Sequence, residues 1–302
     1  MAKSWLLTDP RGLTCQIIHG NSLEALHAFN NQFDLIMTSP PYADARKKHY
    51  DSIKPNDYAE WFCRFHEAFW TALKFNGSLA INIKDKVIQG VRHRYVWQTI
   101  ESLSTLGWCC IDDYIWHKKT SMPGYWPTRL RDSWEYIFHL AKNTKPFMDQ
   151  NAVKIPISPI TQRRVKNIKD GSNSHAASTT GSGFSRNLSA WKNKTSVLPT
   201  NVLYLSTESH NRNHPAVYPV SLPTFFIKLL SNPGDKILDP FGGSGSTAIA
   251  AIQLGRHCVL IDNQYEYCLV AKGRLIKECG MKETRKSKVI IANNFAVNGI
   301  TI

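Results

Sequence analysis

The sequence predicts an α/β protein built on a doubly wound, mostly parallel sheet, with a small inserted region. Short apolar runs alternate with amphipathic stretches at helical spacing over residues 14–142 and again after residue 214. This alternation of strand and helix patterns is typical of a parallel sheet covered by helices. Between the two ends, residues 142–213 lose the alternation and become basic and rich in Gly, Ser, Thr and Asn.

The first part of the chain begins with a strand, helix, strand unit. Apolar runs at 15–18 and 33–38 predict buried strands, and the stretch 22–30 between them predicts a helix with Ser22 as its cap. The other predicted elements of this part are helices over 57–73 and 95–103 and strands over 78–83, 108–117 and 133–141.

The last part of the chain resumes the same rhythm. Its predicted elements are helices over 222–230, 246–255 and 265–278 and strands over 236–239 and 257–262. We therefore expect a catalytic or binding domain made of residues 1–141 and 214–302, with residues 142–213 inserted as a separate region.

The composition is that of a globular and strongly basic protein. The 302 residues include 37 Lys+Arg against 23 Asp+Glu, a formal net charge of +14, and 42% are hydrophobic, which excludes a chain disordered throughout. The insert at 142–213 alone carries 11 Lys+Arg and 3 acids. Charge of one sign indicates nucleic acid, an anionic membrane surface or an acidic protein as the partner, and composition leaves these three open.

Two further features bear on the compartment. No stretch approaches the ~18 to 20 apolar residues of a membrane span, and the first residues lack the apolar core of a signal peptide, so the cytoplasm is expected. The seven cysteines are sparse and form no paired C-x2-C arrangement. They predict reduced thiols and neither a disulfide framework nor a metal site.

Residues 236–262 have the pattern of a strand, a glycine-rich turn, a helix and a strand that ends in an acid. The small residues at 242–245 let the backbone turn tightly and approach a ligand, which the N–H groups of the helix starting near Ser246 would face. Asp262 lies 19 residues after Gly243, close to the ~20 at which an acid meets ribose hydroxyls. The pattern predicts a nucleoside-cofactor site, with a turn that binds no ligand as the alternative.

The second motif is S-P-P-Y at 39–42, directly after the predicted strand at 33–38. Ligands of open α/β sheets bind at the carboxyl ends of the strands, where this motif lies. Two prolines remove backbone donors and stiffen the path, so carbonyls become fixed acceptors beside the flat ring of Tyr42. Such a site suits a planar amine, because the acceptors can bind the NH2 group while the ring stacks on the base. An ordinary proline turn is the alternative.

Together these motifs resemble those of the exocyclic-amino DNA methyltransferases, which use S-adenosylmethionine. D-P-F-G-G-S-G-S-T at 239–247 looks like the family's cofactor motif, and S-P-P-Y looks like its catalytic motif. H-P-A-V-Y-P at 214–219 is similar to the segment that helps hold the methionine end of the cofactor. The order along the chain is that of the β group. The resemblance implies the Rossmann-like methyltransferase fold with a target-recognition region at 142–213.

The resemblance also implies roles for individual residues. The implied catalytic residues are Ser39, Pro40, Pro41 and Tyr42. The implied cofactor-binding residues are Asp239, Phe241, Gly243, Gly245 and Ser246, with Asp262 on the ribose, His214, Pro215 and Pro219 near the methionine moiety, and Gly20 and Asn21 near the adenine. Asn21 departs from the Asp that family members usually have, and Asp262 replaces the more usual Glu.

Serine at the head of the catalytic motif is associated in the family chiefly with the N4 amine of cytosine, whereas Asp or Asn is usual for the N6 amine of adenine. Ser39 therefore favours cytosine N4, with adenine N6 as the nearest alternative. Methylation at cytosine C5 is disfavoured, because it needs a Cys nucleophile of a Pro-Cys pair and none of the 15 prolines is followed by Cys. The amine would be attacked directly, without a covalent intermediate.

The implied partner is double-stranded DNA, from which the target base is swung out. The candidates for phosphate or base-edge contacts are Arg163, Arg164, Lys166 and Lys169, and solvated surface charges are the alternative for each. A paired restriction endonuclease and a bacterial or phage origin are family expectations. One rival function is a DNA-binding protein without turnover. Another is a nicotinamide oxidoreductase, but an oxidoreductase would leave S-P-P-Y and the basic insert unexplained.

Overall fold

The computed structural model describes residues 3–44, 53–120, 124–166, 173–175, 185–187, 194–207 and 218–284. Its strands are β1 (Lys3–Thr8), β2 (Thr14–His19), β3 (Phe33–Thr38), β4 (Leu73–Ile83), β5 (Lys86–Ile88), β6 (Val91–His93), β7 (Cys109–Lys118), β8 (Trp134–Ala141), β9 (Ile155–Pro156), β10 (Asn173–His175), β11 (Ser185–Asn187), β12 (Ser196–Val197), β13 (Val202–Leu205), β14 (Lys236–Asp239), β15 (His257–Asp262) and β16 (Lys282–Glu283).

Helices connect most of these strands. They are α1 (Ser22–Leu26), α2 (Tyr58–Cys63), α3 (His66–Ala72), α4 (Tyr95–Thr105), α5 (Pro159–Lys166), α6 (Ser221–Leu230), α7 (Ser246–Gln253) and α8 (Tyr265–Cys279), with short 3-10 turns at Pro55–Asp57 and Gln150–Val153. Within the described residues, no helix is both long and apolar enough to cross a membrane.

Ten strands form one mixed sheet in the order β13-β7-β8-β4-β3-β14-β15-β2-β1-β16. The central strands β4, β3, β14, β15 and β2 are parallel. Because β8 is antiparallel to both β4 and β7, β7 runs in the same direction as the central strands. The α/β class with a doubly wound, mostly parallel sheet is thereby confirmed.

Both faces of the central strands are buried. Ile36 of β3 and Leu238 of β14 belong to a buried apolar cluster with residues of α1 to α4. Successive side chains of a strand face opposite sides, so Leu35 and Ile237 face the other side, where α6 packs against β3 and α7 against β14. Burial on both faces explains the continuous apolar runs from which these strands were predicted.

The prediction of one continuous helix over 57–73 is wrong, because the segment forms two helices, α2 and α3. The strand predicted at 78–83 is also longer, since β4 begins at Leu73 and includes Gly77. A Cβ atom at Gly77 would lie 2.9 Å from the carbonyl oxygen of Asp34 and from the Leu73 side chain. The glycine therefore permits a close approach of β4 to its neighbour β3. The sequence patterns also missed β1 and the β5-β6 hairpin.

The chain divides into two compact units, one of Met1–Asp149 with Asn201–Ile302 and one of Gln150–Thr200. The predicted insert at 142–213 extends past the second unit at both ends. At its far end β13 pairs with β7 in the ten-stranded sheet, and Leu203 is buried there. The second unit contains α5 and the antiparallel pairing of β9 with β12.

Candidate active site

Both predicted motifs lie at the carboxyl ends of adjacent parallel strands. β3 ends at Thr38 and leads into S-P-P-Y, and β14 ends at Asp239 and leads into the glycine-rich turn. The strands pair directly, and the Thr38 hydroxyl donates to Asp239 Oδ1 at 2.8 Å. This edge is where open α/β sheets bind ligands, so the fold brings the two motifs together at one candidate site.

Asp239 is buried and its carboxylate is fully used by the protein. Oδ1 accepts from Thr38 and from the backbone N–H of Phe241 at 3.1 Å. Oδ2 accepts from the hydroxyls of Thr247, at 2.5 Å, and Tyr218, at 3.1 Å. Burial raises the pKa of Asp239, and the four hydrogen bonds oppose that rise. Since a carboxylate offers about four acceptor sites, Asp239 acts by holding the catalytic and cofactor motifs together.

The glycine-rich turn comes close to its neighbours on one side and is open on the other. A Cβ atom at Gly242 would lie 2.1 Å from the Leu260 side chain, whereas one at Gly243 would meet no atom within 4 Å. Gly245, with a φ of 85°, precedes the start of α7 at Ser246. The Arg274 guanidinium supports the turn by donating to the Ser244 carbonyl at 3.1 Å and to Ser246 Oγ at 3.3 Å. The Ser246 hydroxyl is thus engaged within the protein.

Asp262 ends β15 beside this turn, with only 6% of its surface exposed. Its Oδ2 accepts from the N–H of Gly243 and its Oδ1 from the N–H of Gln264, both at 2.8 Å. Burial raises the pKa of Asp262 to about 6, against the lowering effect of these two bonds. Each oxygen retains acceptor capacity, so the carboxylate can receive two further hydroxyl donors.

The turn after β2 joins the same group. Gly20 donates its N–H to the Asp262 carbonyl at 3.0 Å, and the Ser22 hydroxyl donates to the Pro240 carbonyl. Ser22 is therefore not the helix cap that the sequence predicted. Asn21 caps α1, because its Oδ1 accepts from the N–H of Leu23 at 2.9 Å. Among the described residues no acceptor binds the Asn21 amide nitrogen, which can therefore donate to a ligand.

Two further residues of the predicted cofactor set can be located. The Phe241 ring is half-buried and packs edge-on against Phe65, with 5.2 Å between the ring centroids. Pro219 is buried just before α6. His214 and Pro215 lie outside the described residues, but Tyr218 of the same H-P-A-V-Y-P segment reaches Asp239 and Thr247. Sequence reasoning missed Tyr218, although its position in that segment was the available signal.

In S-P-P-Y the carbonyl groups differ in their partners. The Pro41 carbonyl accepts from the Tyr58 hydroxyl at 2.9 Å. No donor among the described residues reaches the Pro40 carbonyl. Ser39 Oγ donates to the Tyr42 hydroxyl oxygen over a long 3.4 Å. The Pro40 carbonyl and Ser39 are therefore the groups of the motif that are left for a ligand.

A buried carboxylate holds Tyr42 in place. The Tyr42 hydroxyl donates to Glu135 Oε2 at 2.6 Å, and the same oxygen accepts from Asn82 Nδ2 at 3.2 Å. Lys118 Nζ lies 2.5 Å from Glu135 Oε1 and balances its charge. Burial and the nearby Glu135 carboxylate raise the pKa of Tyr42 well above its usual value, so the phenol stays protonated and continues to donate.

Sequence reasoning missed Glu135, Asn82 and Lys118. The available signal was a single acid within the aromatic strand pattern at 133–141, since an acid on a buried strand requires partners. Their meeting depends on the pairing of β8 with both β4 and β7, which no local pattern specifies.

The predicted DNA-contacting residues lie in the second unit or outside the residues that the structure describes. Arg163, Arg164 and Lys166 lie in α5, and the Arg163 side chain is exposed. Lys169 lies outside the described residues. Three of the four positions thus fall in one helix.

Comparison with known proteins identifies the family. The model of the DNA methylase family that covers N6 and N4 methyltransferases matches residues 33–273. The chain is 28% identical to the type II methyltransferase M.PvuII of Proteus hauseri, over 85% of this chain and 82% of that protein. It is also 28% identical to the type II methyltransferase M.SmaI of Serratia marcescens, over 87% of this chain and 91% of that protein.

A solved structure described as PvuII DNA methyltransferase (cytosine-N4-specific) superimposes with a TM-score of 0.65 at 25% identity, covering 86% of each chain. The family model and this structural match point to the same family. The chain belongs to the DNA methylase family of exocyclic-amino methyltransferases, which use S-adenosylmethionine.

Proposed function

We propose that this enzyme transfers a methyl group from S-adenosylmethionine to the N4 amine of cytosine in duplex DNA. The observation that carries the proposal is the junction of the two motifs, in which Thr38 before S-P-P-Y is bonded to Asp239 before the glycine-rich turn. The choice of cytosine is supported by Ser39 at the head of the motif and by the cytosine-N4-specific structural relative.

The residues around the glycine-rich turn fit a nucleoside cofactor. Asp262 has two acceptor sites left for ribose hydroxyls, and the space beside Gly243 is open to a ligand. Asn21 offers an amide N–H at the turn after β2, where an adenine would be read. When bound, S-adenosylmethionine supplies an electrophilic methyl group on a sulfonium. Phe241 offers an apolar surface at the same edge.

On the base side, the Pro40 carbonyl and Ser39 Oγ would accept the two hydrogens of the cytosine amine. Fixed acceptors draw the nitrogen lone pair out of conjugation with the ring and leave it directed at the methyl donor. The half-buried Tyr42 ring would stack on the base, with its hydroxyl anchored to Glu135. The amine nitrogen would take the methyl group that the sulfonium supplies and would lose its surplus proton towards these acceptors or water.

Duplex DNA would also contact the separate unit, which we propose as the target-recognition region together with its flanking residues in 142–213. Arg163, exposed on α5, would contact a phosphate or a base edge. We also propose that a companion restriction endonuclease exists and that the DNA is modified in the cytoplasm.

Transfer of labelled methyl groups to unmethylated DNA tests the function. Wild-type protein with tritiated S-adenosylmethionine and plasmid DNA from a host without DNA methylation should label the DNA. Tyr42→Ala should abolish most transfer while cofactor affinity, measured by calorimetry, stays within about threefold. Asp262→Ala should instead weaken cofactor affinity. Absence of labelling by the wild type would overturn the proposed function, and identical effects of the two variants would overturn the division of roles.

A further inference from the structure

A second loop lies at the same edge of the sheet as the candidate active site. The β7-β8 loop, residues 119–133, follows the carboxyl end of β7, which runs in the same direction as β3. Its two ends adjoin the site directly, because Lys118 and Glu135 contact each other and Glu135 holds the Tyr42 hydroxyl.

The described part of this loop, residues 124–133, is internally braced. The Arg129 guanidinium lies over the Trp126 ring, 4.2 Å from its centroid, and the two residues form a backbone bridge. Asp132 accepts from Arg92 NH2 at 2.6 Å and lies 3.6 Å from Lys84 Nζ, which ties the loop to β6 and to the end of β4. These contacts brace residues 124–133 against β6 and the end of β4.

This braced loop presents two large apolar side chains to solvent. Tyr125 is 88% exposed and Leu130 is 89% exposed, more than any other large apolar residue described. They contribute nothing to the core, although the residues between them are braced by the contacts of Trp126 and Arg129. Exposed apolar groups held in this way are typical of a surface that a partner covers.

The charge around the two side chains identifies the partner. Lys119 and Arg131 are exposed on the same loop and have no ion-pair partner in the described part of the chain. Asp132, the acid of the loop, is neutralised by Arg92 and Lys84. Free cations on the same loop as exposed apolar side chains, at the edge of the sheet that carries the candidate active site, fit a polyanion with stacked bases.

We infer that Tyr125 and Leu130 insert into the base stack of duplex DNA at the position that the target base leaves. The insertion replaces lost stacking with contacts to apolar side chains and so favours the extruded state. Lys119 and Arg131 bind the adjacent phosphates. This inference rests on the proposed function, since it concerns how the DNA substrate of the same site is opened.

The test compares two duplexes that carry the recognition site, which is read from the positions methylated in plasmid DNA. In one the target cytosine is paired with guanine, and in the other it faces an abasic position, so that extrusion costs little. The Tyr125→Ala/Leu130→Ala variant should lose about tenfold or more in kcat/KM on the paired duplex, the range of one stacked base. On the abasic duplex it should stay within about threefold of wild type.

Phe75→Ala is the matched control, because Phe75 is 66% exposed near the start of β4, at the opposite edge of the sheet. The control should methylate both duplexes with the kcat/KM of the wild type. Thermal unfolding should show the wild type, the double variant and the control equally folded. Equal losses on both duplexes would mean that the side chains only contact DNA or the flipped base, and no loss would mean that they are idle. Either result overturns the insertion, whereas absence of methylation by the wild type overturns the proposed function itself.

Discussion

Removing the carboxylate of Glu135 should slow methyl transfer without weakening cofactor binding. Glu135→Ala deletes the nearer acceptor of the Tyr42 hydroxyl, 2.6 Å away, and leaves it only Asn82 Oδ1 at 3.3 Å. It also deletes one of the two acceptors of Asn82 Nδ2, at 3.2 Å. A hydrogen bond to a charged acceptor contributes about 1.5 to 3 kcal/mol. If the Tyr42 bond alone fixes the ring, kcat should fall about tenfold to 150-fold. The cofactor dissociation constant should stay unchanged, because Glu135 contacts no residue of the glycine-rich turn.

Single-turnover methylation with labelled S-adenosylmethionine measures this effect, and a double-mutant cycle with Tyr42→Phe assigns it. Once the Tyr42 hydroxyl is absent, Glu135→Ala should cost little more, and Glu135→Gln should restore part of the wild-type rate. Glu60→Ala is the matched control, since Glu60 pairs with Arg64 on an exposed helix face. If the free-energy losses of the two single variants add up to the loss of the double variant within about 0.5 kcal/mol, the claim that Glu135 acts through Tyr42 is refuted.

Three further predictions concern the cofactor edge and the DNA. Because burial raises the pKa of Asp262 to about 6 and ribose hydroxyls favour its ionised form, cofactor affinity should fall as pH drops below about 6, by up to about tenfold per unit. Calorimetry from pH 5 to 8 checks this, and Asp262→Asn should bind weakly at every pH. Asp239→Asn replaces one acceptor oxygen by an NH2 donor that faces hydroxyl or N–H donors, and it should lower the free energy of unfolding by about 2 kcal/mol or more, with losses in both cofactor affinity and kcat. Equal thermal stability of the variant and the wild type would contradict the four-donor arrangement. DNA affinity should weaken steeply with salt, and Arg163→Ala should reduce the slope of log K against log salt by about one if Arg163 binds a phosphate.

The meeting of the two motifs could be predicted from the sequence because it depends on local patterns. Parallel strands end at one edge of a sheet, so two strands followed by chemically distinctive residues, as at Thr38 and Asp239, had to deliver them to the same side. The apolar runs were reliable because burial on both faces leaves little freedom for polar residues.

The residues that support the motifs could not be predicted in the same way. Glu135 reaches Tyr42 only because β8 pairs antiparallel with β4, a long-range choice that β8's own pattern leaves open. The break between α2 and α3 gave no Gly or Pro signal, and Gly77, just before the strand predicted at 78–83, lies within β4, where it allows a close strand approach. Ser22 and Asn21 are both good capping residues, and the tie from Ser22 to Pro240 decides which of them caps α1.

The identity of the methylated nucleoside tests the central claim most directly. The enzyme is expressed in a host that lacks DNA methylation, and the DNA is digested to nucleosides and analysed by mass spectrometry. We expect N4-methylcytosine from the wild type and none from Tyr42→Ala. N6-methyladenine in its place would contradict the cytosine specificity inferred from Ser39. DNA without any methylated nucleoside would contradict the methyltransferase activity.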